Sequence, residues 1–232
     1  MKVFIIIKEK SERIPNKNFQ LIGNLPLWKH LIYELKEWDV YIDTDSPKII
    51  EECKDLNWVT AYPRKQKFID FENLDKSKLS PALMMIDNFM DTYVHDNNEI
   101  IITTHVTSPF LKSTTLKNAI KKLNEGYDSI LSVTKHHEFS WLEQIGDMTP
   151  INFNPNIIQK TQDLSPVIMS KGAFFIFKKK TFKEVNNRIG NKPYYYPLSN
   201  IEGIDIDNYD GLELAKTVYS GQKTLKDYYG KT

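Results

Sequence analysis

The sequence predicts an α/β fold: a mostly parallel, twisted sheet with helices on both faces. Two observations carry that reading. Strand-like and helix-like segments alternate along most of the 232 residues, the order expected of parallel strands joined by crossover helices. The opening run "KVFIII" is apolar at every position after its lysine, as a strand covered on both faces requires.

Each element has a local reason. "PLWKHLIYELKEW" (26–38) sets Leu27, Leu31, Ile32, Leu35 and Trp38 at helical spacing behind Pro26, a residue suited to a first helical turn. "DVYIDTD" (39–45) reads as a strand, a short helix follows from Ser46 and Pro47 through Cys53, and "WVTAY" (58–62) is the next strand. The alternation resumes with a helix opening at Ser80 over "SPALMMIDNFMDTYV" and a strand over "EIIITTHV" (99–106). It continues with a helix over 111–126 closed by Gly126 and a strand over "DSILSVTK" (128–135). Residues 136–170 are polar and turn-rich without a long periodic helix, so they are expected to leave the sheet as an arm. "GAFFIFK" (172–178) returns to the core, "PYYYP" (193–197) suits a strand or packing surface, and "NYDGLELAKTVYSG" (208–221) is expected to close the fold as an amphipathic helix. With no repeat, low-complexity tract or linker, residues 1–232 read as one domain carrying that arm.

Composition narrows the function. A formal charge of +1 lacks the basic excess of a nucleic-acid binder, so any anion site must be local. No apolar stretch approaches the roughly 18 residues of a membrane span, and "MKVFIIIKEK" is interrupted by charge too soon for a secretory signal. The expectation is a cytoplasmic protein that binds neither nucleic acid nor membrane. Cys53 has no second cysteine to pair with and is expected to be a core thiol. His136 and His137, adjacent in an extended segment, face opposite ways and do not chelate together.

In parallel sheets ligands sit beyond the carboxyl ends of the strands, where residues 8–18, 43–46 and 105–109 all fall. Six of the eleven residues in "KEKSERIPNKN" (8–18) are charged and none is glycine, so backbone amides freed by glycine are not available to cradle phosphate. Lys8, Lys10, Arg13 and Lys17 supply positive charge instead, Pro15 stiffens the loop and Asn18 offers an amide. Taken alone, the stretch also fits a solvated charged loop. In "IDID" (204–207), Asp205 and Asp207 are expected on one face of a short strand, where both carboxylates reach one hard cation. Magnesium bridging nucleotide phosphates is the obvious use, and an N-cap role for Asp207 is the alternative. Asp43 and Asp45 suit either capping the helix at Ser46 or holding a ribose hydroxyl.

"FIIIKEKSERIPNKNFQLIGNLPLW" resembles the opening of the bacterial CMP-sugar synthetases, the acylneuraminate cytidylyltransferase family, whose pattern is A-R-x-G-S-K-R-(I/L)-P-x-K-N followed by G-x-P-L. Further resemblances occur in order: "VYIDTD", "THVTSPFL", "ILSVTKHH", "QDLSPVIMSKGAFFIF" and "IEGIDIDNYDGLELA", together spanning residues 3 to about 215. The resemblance implies a Rossmann-like fold of the nucleotide-diphospho-sugar transferase type with a dimerisation arm. It implies transfer of CMP from CTP to the hydroxyl of an acidic sugar, a sialic-type or Kdo-type 2-keto acid, with release of pyrophosphate, for surface glycan or capsule biosynthesis. Mg2+ and a homodimer belong to the same expectation.

Carried over by motif position, Lys17, Arg13 and Asp207 are the catalytic candidates. Lys8, Ser11, Arg13, Lys17, Asn18, Asp43 and Asp45 face the nucleotide, and Asp205 and Asp207 hold the metal. His105, Thr107, Ser108, Gln162 and Lys171 fall on the sugar side. Departures from the pattern are Lys8 for arginine, Glu12 for lysine, His105 for glutamine, Leu111 for arginine and Lys171 for asparagine, with Arg64 placed to replace a missing arginine. Lysine keeps the charge of arginine but loses its bidentate fork. Two other readings are a GT-A-type glycosyltransferase using Asp43 and Asp45 as a D-x-D, and a catalytically weakened nucleotide-binding relative. The Lys17–Asn18 pair and the terminal "DID" favour the transferase of CMP over the glycosyltransferase, and nucleotide binding without turnover would distinguish the weakened relative.

Overall fold

Alternate residues of the first strand, β1 (Lys2–Ile7), enter different cores, which is why the strand is apolar throughout. The computed structural model describes residues 1–74 and 80–229. After β1 the chain passes through the charged loop and a 3-10 turn at Lys17–Phe19. It then forms a small hairpin of β2 (Leu21–Ile22) and β3 (Leu25–Pro26). Gly23 in that hairpin has φ +61°, and the Tyr219 ring lies where a side chain would be, so the turn and the packing both call for glycine.

Helix α1 (Leu27–Glu34) is shorter than the predicted 26–38. Pro26 precedes it in an extended conformation, and Leu35 to Trp38 form a turn. All five apolar residues named from the spacing are nevertheless buried, so the pattern reported burial correctly and helix length too generously. Next come β4 (Asp39–Thr44), α2 (Pro47–Cys53), β5 (Val59–Pro63), α3 (Gln66–Leu74) and α4 (Ala82–Tyr93). Helix α4 starts two residues after Ser80, whose hydroxyl accepts the Ala82 N–H at 3.2 Å. Strand β6 (Ile100–Thr104), α5 (Ser113–Ile120) and β7 (Ser129–His136) follow, with Gly126 at φ +87° closing the helical segment as expected.

Residues 136–170 were expected to leave the sheet as one excursion, and the structure narrows that span. It contains a separate hairpin, β8 (Trp141–Gln144) and β9 (Asp147–Pro150), but β10 (Val167–Lys178) already begins inside it. Val167 to Ser170 pair with Val133 to His136, so the base of the arm is a two-strand extension of the sheet. Ile168, Met169 and Ser170 are exposed themselves, so no apolar alternation marks these four residues as a strand. Gly172, at φ +66°, lies where the pairing register shifts between Ser170 and Phe175. The chain ends through α6 (Lys179–Val185), β11 (Pro193–Pro197) and α7 (Tyr209–Tyr229), the last running on past Gly221. The expectation of one domain also covers residues 75–79 and 230–232, which lie outside the described residues.

The main sheet has the order β11-β7-β10-β6-β1-β4-β5, parallel except for β10, which runs against both of its neighbours. Helices α1, α2 and α5 pack Trp28, Leu31, Ile49, Cys53 and Leu116 on one face. Helices α3, α4 and α6 pack Phe68, Met85, Phe89 and Phe182 on the other. Burial and the neighbouring Glu52 push the Cys53 thiol up to about 11, consistent with a core role. A third core joins Ile14 and Ile22 to Phe110, Ile206 and Leu212, so α7 and the segment before it clamp the first loop.

Candidate active site

That third core decides what the charged loop is. Ile14 is fully buried in the middle of "KEKSERIPNKN", which pins its backbone and leaves the flanking charges outside. Asn18 Nδ2 donates to the Lys8 carbonyl at 2.7 Å, Gln20 Nε2 donates to the Pro15 carbonyl at 3.0 Å, and the Glu9 N–H donates to Asp45 Oδ1 at 2.7 Å. A merely solvated loop has no need of this internal scaffold. Asn18 itself is buried, and its Oδ1 has no hydrogen-bond partner among the described residues, a costly state that a ligand donor would relieve.

The loop forms one wall of a cavity of about 400 Å³. Lys8, Lys10, Ser11, Glu12, Arg13, Lys17 and Asn18 line it together with Ile6, His105, Val106, Thr107 and Asp207. Ser80, Ala82 and Met85 close it from the start of α4, a wall with no charged side chain by which the sequence could have revealed it. The segment at 204–207 reaches the cavity without forming the short strand expected of it. Its Ile206 is a fully buried plug, its Ile206 N–H donates to the Thr107 carbonyl at 2.9 Å, and Lys17 Nζ donates to the Ile206 carbonyl at 3.0 Å. With those backbone groups taken up by a loop and a side chain, no ladder forms.

Asp207 projects between two cations, 3.1 Å from Arg13 Nη1 and 3.5 Å from Lys17 Nζ. Asp205 is half-buried and accepts a hydrogen bond from the Thr107 hydroxyl. Burial chiefly, and the nearby Asp207, raise its carboxyl above the ordinary range. Asp207 lines the cavity, and Asp205, outside that lining, lies near enough for the two carboxylates to act on each other's charge, while no group of three or more His, Cys, Asp or Glu residues able to hold a metal occurs among the described residues. Magnesium fits that arrangement, because it binds through one or two carboxylates and completes its shell with substrate phosphates and water.

His105 is half-buried at the end of β6. Burial, reinforced by Arg188 and Lys17 and opposed by Asp207, holds its imidazole down to about 4, so it is uncharged near neutrality. Ser108 is buried in the turn beneath, its N–H donating to the His105 carbonyl at 3.1 Å. Lys171 is half-buried and lies near enough to Asp205 to stabilise its charge, while Gln162 is exposed in the arm and does not line the cavity.

Asp43 departs from its expected nucleotide role. It is buried in an ion pair with Arg64, Nε to Oδ1 at 2.8 Å, and Arg64 also donates to the Ile7 carbonyl at 3.2 Å. Arg64 therefore ties the ends of β1 and β4 together beneath the site and does not face the cavity, and Asp43 is withdrawn with it. Asp45 likewise supports the loop through its bond to Glu9 and does not line the cavity. No capping hydrogen bond from a side chain is made at the start of α2.

The chain is similar to proteins of known activity. N-acylneuraminate cytidylyltransferase A of Danio rerio is 27% identical over 216 residues, covering 89% of this chain and 48% of that protein. N-acylneuraminate cytidylyltransferase of Oncorhynchus mykiss is 26% identical over 214 residues, covering 88% and 46%. The chain thus spans about half the length of the curated relatives it matches. Among solved structures, a CMP:2-keto-3-deoxy-manno-octonic acid synthetase complexed with CTP superposes with a TM-score of 0.64 at 12% identity, over 95% of this chain and 98% of that one. A 4-diphosphocytidyl-2C-methyl-D-erythritol synthase gives 0.67 at 6% identity, over 93% and 96%, and both likenesses establish the fold. The sequence model of the cytidylyltransferase family matches residues 4–223, nearly the whole described chain, and this protein belongs to that family.

Proposed function

We propose that this chain transfers CMP from CTP to the hydroxyl of an acidic sugar, a sialic-type or Kdo-type 2-keto acid, and releases pyrophosphate. The observation that carries the reading is the convergence of Arg13, Lys17 and Asp207 at one cavity whose wall also holds the unpartnered Asn18 Oδ1. The acceptor oxygen forms a bond to the α-phosphorus, the bond from that phosphorus to the bridging oxygen of the β-phosphate breaks, and the hydroxyl proton leaves to solvent. Such a displacement is accelerated chiefly by positioning and by neutralising phosphate charge.

Arg13 and Lys17 supply that neutralisation, and Lys8 and Lys10 extend it along the loop. Ser11 and Asn18 offer neutral polar contacts beside them. In this reading Asp205 and Asp207 hold Mg2+, which when bound screens the phosphates and acidifies the attacking hydroxyl. Thr107 fixes Asp205 in place, and the neutral His105 contributes hydrogen bonding without adding charge to the acceptor side. Among the described residues no helix is long and apolar enough to cross a membrane. A cytoplasmic location is part of the same proposal.

The arm supports a homodimer in the same reading. Trp141, Leu142, Ile145, Met148, Ile157 and Ile158 are all exposed on it, more apolar surface than a free hairpin has reason to carry. A second copy covering that surface would also give Gln162 a route to a site its own chain does not offer it.

The test is pyrophosphate release with Mg2+ and each of the four ribonucleoside triphosphates against a panel of 2-keto sugar acids. Release that requires CTP and one acid is the expected result. Release driven by a nucleotide other than CTP, or sugar transfer from a nucleotide sugar, overturns the assignment.

A further inference from the structure

Arg188 has no counterpart among the residues that the sequence points to, yet it stands on the same sheet face as the cavity. Phe175 of β10 pairs with Thr103 of β6, which pairs in turn with Phe4 of β1. Two residues further along, that face continues into Ile6 and His105, both of which line the cavity. The Arg188 guanidinium lies 3.9 Å from the centre of the Phe175 ring and close enough to His105 to act on its charge.

Its environment is unusual for an arginine. The residue is half-buried, and its guanidinium has no hydrogen bond or carboxylate partner among the described residues, the Phe175 ring being its one contact of note. A half-buried guanidinium with no acid beside it keeps its donors available, and an incoming anion would engage them. The ring beneath it holds the guanidinium plane and leaves its edge open.

We infer that Arg188 binds the carboxylate of the acceptor, at the end of the site opposite the first-loop cations. This rests on the function proposed above. The position favours the acceptor over the nucleotide: Lys8, Lys10, Arg13 and Lys17 line the cavity from β1 and its loop, whereas Arg188 lies outside that lining, over Phe175 of β10 and near enough to His105, which does line it, to act on its charge. A neutral His105 keeps the two cationic groups from becoming three. Arg188 is therefore a specificity residue for an acid, placed away from the phosphates.

The experiment has two arms. In steady-state assays with whichever 2-keto sugar acid turns over, Arg188→Gln is expected to raise the KM for that acid at least tenfold. The KM for CTP and kcat should stay within about twofold, and Arg188→Lys should recover part of the loss. An unchanged acid KM overturns the inference, and a rise confined to CTP reassigns Arg188 to the phosphates. In the second arm, N-acetylneuraminate, a Kdo-type acid and pyruvate are each titrated into the CTP–Mg2+ complex while the Arg188 Nε–H and His105 ring signals are followed by NMR. A shift of both signals in the parent, with the His105 shift lost in Arg188→Gln, supports the inference, and no shift with any of the three acids, or a His105 shift unchanged in Arg188→Gln, overturns it. If the acids move these signals but no pyrophosphate is released, the proposed reaction fails and the carboxylate site stands.

Discussion

Lys17 and Asp207 carry the most specific consequences at the level of single residues. Lys17 holds the Ile206 carbonyl and faces the Asp207 carboxylate, so it serves both the architecture of the site and its charge. Lys17→Ala is expected to raise the KM for CTP on the order of ten- to a hundredfold, a loss of a charge-assisted contact, and unchanged CTP kinetics would refute its role. Asp207→Asn keeps the shape and removes the charge. Turnover should fall by about a hundredfold or more with the folded circular-dichroism spectrum intact, and full activity would exclude Asp207 as a metal ligand. His105 gives a pH prediction. Its folded-state pKa of about 4 lies below the ordinary value of 6.5, so between those pH values the unfolded chain binds more protons. Stability from this group is whole above pH 6.5 and is lost as pH falls toward 4. Denaturant titrations at pH 7 and pH 5 should show a smaller loss on acidification in His105→Gln than in the parent, and equal losses would show that the histidine is not held neutral by its surroundings. Residue types were legible where they stood together in the sequence, as in the first loop and the "DID". Asp43 was misplaced because its partner, Arg64, comes from a different strand-to-helix connection, and nothing in "VYIDTD" marks an aspartate as internal.

The arm hairpin tests how an element relates to its surroundings. Ile145 occupies the left-handed region at φ +51° and is fully exposed at the turn between β8 and β9. A β-branched residue is a poor choice there, where asparagine is favoured and the penalty is about 1–2 kcal/mol. Ile145→Asn is expected to stabilise the hairpin in dilute protein while weakening self-association, measured by denaturation at low concentration and by sedimentation. An association constant unchanged by the substitution would mean that the hairpin tip makes no contact with a second copy. At the joint of β1, β4 and β5, Asp43→Ala leaves Arg64 buried without its carboxylate. A loss of about 3–5 kcal/mol in unfolding free energy is expected, and a loss under 1 kcal/mol would show that water reaches the pair. Helices and strands were legible because each has an apolar face to bury. The base of the arm was not, since its pairing joins two segments separated in sequence, one of them mostly exposed.

For the whole molecule, ligand binding and stability are linked, because the cavity is built from the β1 loop, the end of β6, the start of α4 and the segment before α7. CTP with Mg2+ at about a hundred times its dissociation constant should stabilise the fold by about 2.7 kcal/mol, read as a rise in Tm. No shift with CTP alongside a shift with another nucleotide would change the assigned nucleotide. The alternating α/β order, the position of the charged loop at the sheet's rim and the family could all be read along the chain, because they depend on local periodicity and contiguous residue types. That β10 runs against its neighbours, that Asp43 is withdrawn with Arg64 and that Arg188 lies near enough to His105 to act on its charge emerged from the folded chain alone. Each of those depends on contacts between residues distant in the chain, where burial and pairing are set by neighbours that no local pattern names.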